Sequence, residues 1–212
     1  MKIVIFANGE VGCADFAGHI AASANFVIFC DGGSRHGMNL GIRPDVIVGD
    51  LDSIDADVLA YFQDMDVVFE KFPAAKESTD LELAIGLAMT KNPAEIIVLG
   101  AFGGRVDHFL GNIHALIPVV KSKVKASLVD FAIKAMIIHE VAEITRESYD
   151  TISLIPLTSA ASGVTTAGLK YPLRDEVLHI GTTRGISNIF VENTASVTVA
   201  EGLLLAICTK TT

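Results

Sequence analysis

A chain of 212 residues, half of them hydrophobic, suits one large domain or two small ones and can bury a real core. Its formal net charge of −9 argues against a general binder of nucleic acid or of an anionic membrane, but leaves room for a phosphorylated small substrate whose charge a metal offsets. Cys13, Cys30 and Cys208 form no CxxC pair, no apolar run approaches the ~20 residues that span a bilayer, and MKIVIFANGE breaks too soon for a signal peptide, so the chain reads as soluble and cytoplasmic with reduced thiols.

The chain opens with near-continuous apolar runs at 2–7 (KIVIFA), 26–31 (FVIFCD) and 46–50 (VIVGD), the pattern of strands covered on both faces. Ser53 is a plausible N-cap for a helix over 54–64 with Val58, Leu59 and Phe62 inward. A strand at 66–70 follows. Thr79 and Glu82 then make a capping box, which starts a helix at Asp80 whose buried stripe is Leu81, Ala84, Ile85, Ala88 and Met89. A strand at 96–101 precedes a second stripe of Val106, Phe109, Leu110, Ile113, Leu116 and Ile117, which Pro118 should bend or end. The last run of this half is 125–130. Such alternation predicts an α/β domain over 1–131, with a mainly parallel sheet flanked by helices.

From 132 to 212 the pattern changes. AMIIHEV, TISLIPL, ISNIFVE, ASVTVA and GLLLAIC are short strand-like runs separated by turn signals, with no strong helical stripe. That predicts an all-β domain, an antiparallel sandwich or barrel.

In an open parallel sheet, ligands bind outside the carboxyl ends of the strands. Asp31 follows the second strand, Asp50 and Asp52 the third; Asp80 and Asp107 open the helices after the fourth and fifth. All five fall on one edge, with Gly32, Gly33, Gly49, Gly100, Gly103 and Gly104. Carboxylates, approachable backbone and helix starts together suit a magnesium-bound polyphosphate, with Lys76 and Arg105 offsetting phosphate charge. Each residue also has a plainer use. Asp31 suits a turn, Asp80 a helix dipole, and Asp107 a cap or an ion pair with Arg105; His108 suits packing, and Lys121, Lys123 and Lys125 a solvated face. Asp50 and Asp52 are hardest to explain so, because two carboxylates two positions apart repel unless solvated or metal-bound.

Five motifs together resemble the thiamin pyrophosphokinase family: DGG (31–33), PDVIVGDLDS (44–53), KESTDLELA (76–84), GAFGGRVDH (100–108) with Asn112 following, and GISN (185–188). The resemblance implies transfer of pyrophosphate from ATP to the hydroxyethyl group of thiamin. It also implies a C-terminal β-sandwich that binds thiamin, and a homodimer with thiamin near the subunit interface. By motif, Asp50, Asp52, Asp80 and Asp107 handle magnesium and phosphates, with Asp50, Asp52 and Asp80 as Mg²⁺ ligands. Asn8, Gly9, Asp31, Gly32, Lys76, Thr79, Gly103 and Arg105 lie with the nucleotide, and Ser187 and Asn188 with thiamin. Two departures are Glu77, where the family has Asp, and Ile189, where an acid is common. With no Trp, aromatic stacking on thiamin must come from Phe or Tyr. Two other classes carry a DxD or a nucleotide site: a metal-dependent nucleotide-sugar glycosyltransferase and a non-catalytic nucleotide-binding regulator. Absence of GxxxxGK[ST] and of GxGxxG after the first strand disfavours a P-loop kinase and a dinucleotide oxidoreductase.

Overall fold

The structure is a computed structural model and describes residues 1–72 and 78–211. The chain divides into two compact units, Met1–Phe131 and Ala132–Thr212.

The first unit runs β1 (Lys2–Phe6), α1 (Ala14–Ala22), β2 (Phe26–Cys30), a 3-10 turn (Asp31–Gly33), α2 (Ser34–Leu40), β3 (Val46–Gly49), α3 (Ala56–Gln63), β4 (Val68–Lys71), α4 (Asp80–Thr90), β5 (Glu95–Leu99), α5 (Val106–Ala115), α6 (Ile117–Lys121) and β6 (Lys125–Val129). Its strands lie in the order β6-β5-β1-β2-β3-β4, and each neighbouring pair is parallel. Ile3, Val4, Ile5, Phe6, Ile47 and Val48 are fully buried, which explains why these strands read as unbroken apolar runs. The chain adds β2, β3 and β4 on one side of β1, then returns to place β5 on the other. The order therefore reverses beside β1, and the crevice at such a reversal is where open α/β sheets bind ligands.

Helix α4 starts at Asp80 as the capping box predicts: Thr79 Oγ1 accepts from Glu82 N at 3.2 Å, and Glu82 Oε2 accepts from Thr79 N at 2.8 Å. Pro118 separates α5 from α6 and sits in the first turn of α6, where a missing N–H is harmless. Helix α3 begins later than expected, at Ala56 with Asp55 as N-cap. Ser53 is not its cap, because its hydroxyl donates to Asp52 Oδ1 at 3.1 Å instead. The α5 stripe is narrower than expected: Ile113 and Leu116 are buried, but Val106 and Leu110 are 68% and 53% exposed. Lys121, Lys123 and Lys125 are exposed.

The second unit contains β7 (Ile133–Ile138), β8 (Val141–Thr145), β9 (Thr151–Pro156), β10 (Ala160–Ala167), β11 (Glu176–His179), β12 (Asn188–Ile189), β13 (Thr194–Thr198) and β14 (Leu204–Thr209). Antiparallel pairing gives two layers, β12-β9-β14-β7 and β11-β10-β13-β8. One apolar core draws Ile152, Leu154, Leu204 and Ala206 from the first layer and Ile144, Val164, Leu178 and Val197 from the second. The run ISNIFVE supplies only the two-residue β12. Among the described residues no helix is long and apolar enough to cross a membrane.

Candidate active site

The site grows from what each strand does at its carboxyl end. Strand β3 ends at Gly49 with φ 155°, and Leu51 takes φ 69°, so the backbone turns sharply through Asp50-Leu51-Asp52. Asp52 N donates to Asp50 Oδ1 at 3.3 Å, which holds the two acids on one loop. Strand β2 ends in the turn that carries Asp31 at φ 35°, a conformation Asp tolerates better than most residues. The turn places Asp31 against Gly49, where a Cβ would lie 2.7 Å from Asp31 Cβ.

One carboxylate oxygen from each of Asp31, Asp50 and Asp52 lies within 4.8 Å of the others. Asp31 is buried, and its Oδ1 has no hydrogen-bond partner. Its pKa is pushed up to about 6, by burial first and then by the charges of Asp80 and Asp50. A buried carboxylate with one oxygen lacking a donor, grouped with two further acids, is uncomfortable without a cation. Hard oxygen ligands at this spacing fit Mg²⁺. The motifs put Asp31 with the nucleotide and Asp80 with the metal. In the structure Asp31 joins Asp50 and Asp52, whereas Asp80 is outside that three-oxygen group and acts on it as a neighbouring charge.

A cavity of about 480 Å³ opens at the strand-order reversal. Asn8 and Gly9, after β1, form one wall; Gly100 to Arg105, after β5, form another. Thr79, Asp80 and Glu82 contribute the start of α4, and Asp107, His108 and Asn112 contribute α5. Gly9 must be glycine here, since a Cβ would lie 2.4 Å from Gly100 O and 2.6 Å from Phe102 O. Gly103 and Gly104 are exposed at the rim. Asn112 Nδ2 donates to Ala101 O at 3.0 Å and so holds the glycine loop to α5. His108 is exposed at the wall rather than packed.

Arg105 and Asp107 are both exposed and bonded twice, Nη2 to Oδ2 at 2.6 Å and Nε to Oδ1 at 3.3 Å. This pairing holds the Asp107 carboxyl below the usual carboxylate range. Thr79 Oγ1 is engaged in the capping box. Lys76 and Glu77 lie outside the described residues.

Ser187 and Asn188 belong to the second unit. Ser187 is exposed, has φ 57°, and its N–H donates to Ser153 Oγ at 3.0 Å. Asn188, which the motif puts on the thiamin side, is engaged with its own neighbours. It is 7% exposed. Its Oδ1 accepts from Tyr171 N at 3.0 Å and Ile189 N at 2.9 Å, and its Nδ2 donates to Tyr171 O at 2.7 Å. That side chain holds the exposed Tyr171 segment in place.

Arg35 and His36 carry no motif signal, yet they brace the β1 wall. Arg35 donates to Asn8 O at 2.6 Å, Gly32 O at 2.9 Å and Gly9 O at 3.3 Å, as well as to Asn8 Oδ1; His36 Nε2 donates to Gly9 O at 2.7 Å. Burial pushes the His36 pKa down, which keeps the ring neutral. The signal available in the sequence was an arginine within one helical turn of a strand end on the ligand edge.

The family model described as the thiamin pyrophosphokinase catalytic domain matches residues 17–128, and the one described as its vitamin B1 binding domain matches residues 139–204. A thiamine pyrophosphokinase of Bacillus subtilis (strain 168) is 32% identical over 174 residues, covering 80% of this chain and 80% of that one. Thiamine pyrophosphokinase 1 of Oryza sativa subsp. japonica is 31% identical over 177 residues, covering 78% of this chain and 66% of the relative. Among solved structures, a thiamine pyrophosphokinase from Bacillus subtilis superposes with a TM-score of 0.90 at 30% identity over 100% of both chains. A thiamin pyrophosphokinase from Geobacillus thermodenitrificans does so with a TM-score of 0.86 at 27% identity, over 100% of this chain and 99% of that one. With both family domains matched in order over most of its length, this chain belongs to the thiamin pyrophosphokinase family.

Proposed function

We propose that this protein transfers the diphosphate of ATP to the hydroxyl of thiamin, giving thiamin diphosphate and AMP. The observation that carries this reading is the convergence of Asp31, Asp50 and Asp52 oxygens within 4.8 Å, beside a glycine-walled cavity, in a chain of this family. These three acids would hold Mg²⁺. When bound, the ion supplies charge neutralisation on the phosphate oxygens.

The chain's own residues do the rest by positioning and electrostatics, as in phosphoryl transfer generally. The thiamin oxygen forms a bond to the β-phosphorus and gives up its proton to water, the bond from that phosphorus to the oxygen bridging it to the α-phosphorus breaks, and AMP leaves with that oxygen. Asp80, at the start of α4 and near enough to raise the Asp31 pKa, adds its negative charge beside the place where the ion would sit and so would strengthen the hold on Mg²⁺. Asp107, held ionised by Arg105, orients the attacking hydroxyl; a carboxylate of lowered pKa is a poor base for removing its proton. Arg105 faces phosphate charge across the cavity rim. Ser187 is the exposed polar group offered to thiamin, and Asn188 supports it from below. The protein acts as a homodimer, the assembly that the motif resemblance implies.

The direct test is incubation of the protein with ATP, Mg²⁺ and thiamin, followed by separation of the products. Equal amounts of AMP and thiamin diphosphate are expected. ADP in place of AMP, or ATP bound and never turned over, would overturn the reading.

A further inference from the structure

The geometry points to Arg35 as the positioning residue that fixes the polarity of Asn8, so that Asn8 offers a hydrogen-bond donor, and not an acceptor, to an oxygen of the bound nucleotide. This rests on the reading of the cavity as the ATP site.

A guanidinium has five donors and no acceptor. The Asn8 atom facing Arg35 is therefore the amide oxygen, and Arg35 Nη1 donates to it. The same nitrogen donates to Gly32 O, and Nη2 donates to Asn8 O and Gly9 O, so four oxygens at the ends of β1 and β2 converge on one guanidinium. Such a planar fork holds a fixed geometry that a lysine ammonium does not. The amide lies flat on the Asp31–Gly33 turn, since a Cβ on Gly32 would sit 2.7 Å from Asn8 Oδ1 and 2.8 Å from Nδ2. Pinned by Arg35 and seated over Gly32, the side chain has no room to exchange its two ends without loss. Asn8 lines the cavity, and Arg35 is not among the residues that line it. With Oδ1 committed, the NH₂ group is left for a ligand. Phosphate and ribose oxygens are acceptors, so a wall that presents a donor matches a nucleotide. His36 shares the Gly9 carbonyl with Arg35 and braces the same turn.

The test is a direct titration of Mg-ATP into the parent and into Arg35→Met, Asn8→Ala, Asn8→Asp and the Arg35→Met/Asn8→Ala double variant, with melting curves to establish folding. Loss of one hydrogen bond to a charged oxygen should weaken binding about 10-fold in each single variant to Met or Ala. The double variant should bind no more than about 2-fold worse than Asn8→Ala, because Arg35 acts through Asn8. Asn8→Asp keeps an oxygen toward Arg35 but turns a second oxygen on the nucleotide, so it should bind worse than Asn8→Ala. In steady state the loss should appear in KM for Mg-ATP, with KM for thiamin unchanged. If Arg35→Met does not fold, Arg35→Lys takes its place in the same cycle, with a smaller loss that also vanishes in the Asn8→Ala background.

Independent losses of about 100-fold in the double variant would overturn the proposal and make Arg35 a direct phosphate ligand. Parent-like binding by Arg35→Met would also overturn it. A parent that binds Mg-ATP but forms no thiamin diphosphate would sink the proposed reaction alone, since the coupling between Arg35 and Asn8 is still read in the titration.

Discussion

Gly49 touches Asp31 so closely that a methyl group on Gly49 would lie 2.7 Å from Asp31 Cβ and 3.2 Å from its carboxyl carbon. The end of β3 and the turn after β2 are thereby locked together, and the acids they carry, Asp31 on one side and Asp50 and Asp52 on the other, share one spot. Gly49→Ala must move one of them. It also places a side chain at φ 155°, which L residues rarely adopt. The expected cost is ~1–3 kcal/mol of stability, the usual range for overpacking. Turnover per folded molecule should fall as well, because the three oxygens separate. A Gly49→Ala protein with parent-like turnover would mean that their spacing is irrelevant to the chemistry.

Asp31 ties stability to pH. Its folded pKa is about 6, against ~3.9 for an unperturbed Asp in an unfolded chain. The folded state then binds the proton more tightly than the unfolded one. Its contribution to stability is fully present below ~4 and is lost as pH rises through the folded value. The melting temperature of metal-free protein should therefore fall more steeply between these limits than that of Asp31→Asn, which cannot titrate there. At neutral pH, added Mg²⁺ should raise the melting temperature of the parent and do much less for Asp31→Asn. Equal magnesium responses would remove Asp31 from the ion's shell.

Replacing Asp52 by Asn tests the exposed member of the group. Ser53 and the Asp50-Leu51-Asp52 turn keep their hydrogen-bonding capacity with an amide at that position, and an exposed side chain contributes little to the core. Turnover should drop by ~100-fold or more, the scale for losing one preorganised charged contact in a transition state. The melting curve should barely move, and the magnesium concentration needed for half-maximal rate should rise.

The sheet of the first unit was legible because β1, β2, β3 and β5 are buried on both faces and read as solid apolar runs. The ligand edge was legible because Asp50 and Asp52 directly follow one of those runs. Asp31's place among the three acids was not, because an Asp before Gly-Gly serves a plain turn equally well; only φ 35° and the contact with Gly49 swing it inward. The bracing of Asn8 by Arg35 joins residues 27 positions apart and leaves no local pattern. Strand β10 was missed for a different reason. It is rich in Ala, Ser and Thr, and its register shifts between Ala161 and Val164 around Gly163 at φ 65°, which breaks the alternation that marks a strand. The motif puts Asn188 on the thiamin side, and its hydrogen bonds to Tyr171 and Ile189 are a detail of packing that no local pattern encodes.

The start of α4 separates a structural role from a chemical one at adjacent residues. Thr79 is half of a complete capping box, with Glu82 N donating to Oγ1 and Glu82 Oε2 accepting from Thr79 N. Thr79→Ala should cost ~1 kcal/mol and leave the rate per folded molecule nearly intact. Asp80 sits one residue on, half-buried at the cavity wall, and favours the positive end of the helix. Were that its whole role, Asp80→Asn would cost less than ~1 kcal/mol and nothing in rate. Its negative charge also raises the pKa of Asp31, so its removal relieves a like-charge repulsion in the metal-free protein. Melting at neutral pH should accordingly be level with the parent or slightly higher. Turnover should nonetheless nearly vanish, because a negative charge beside the place of the ion has gone. Melts and rates measured side by side on Thr79→Ala and Asp80→Asn should give opposite patterns, stability lost in the first and activity lost in the second. Retention of more than about a third of the parent rate by Asp80→Asn, a barrier change below ~0.7 kcal/mol, would reduce Asp80 to a helix-start residue.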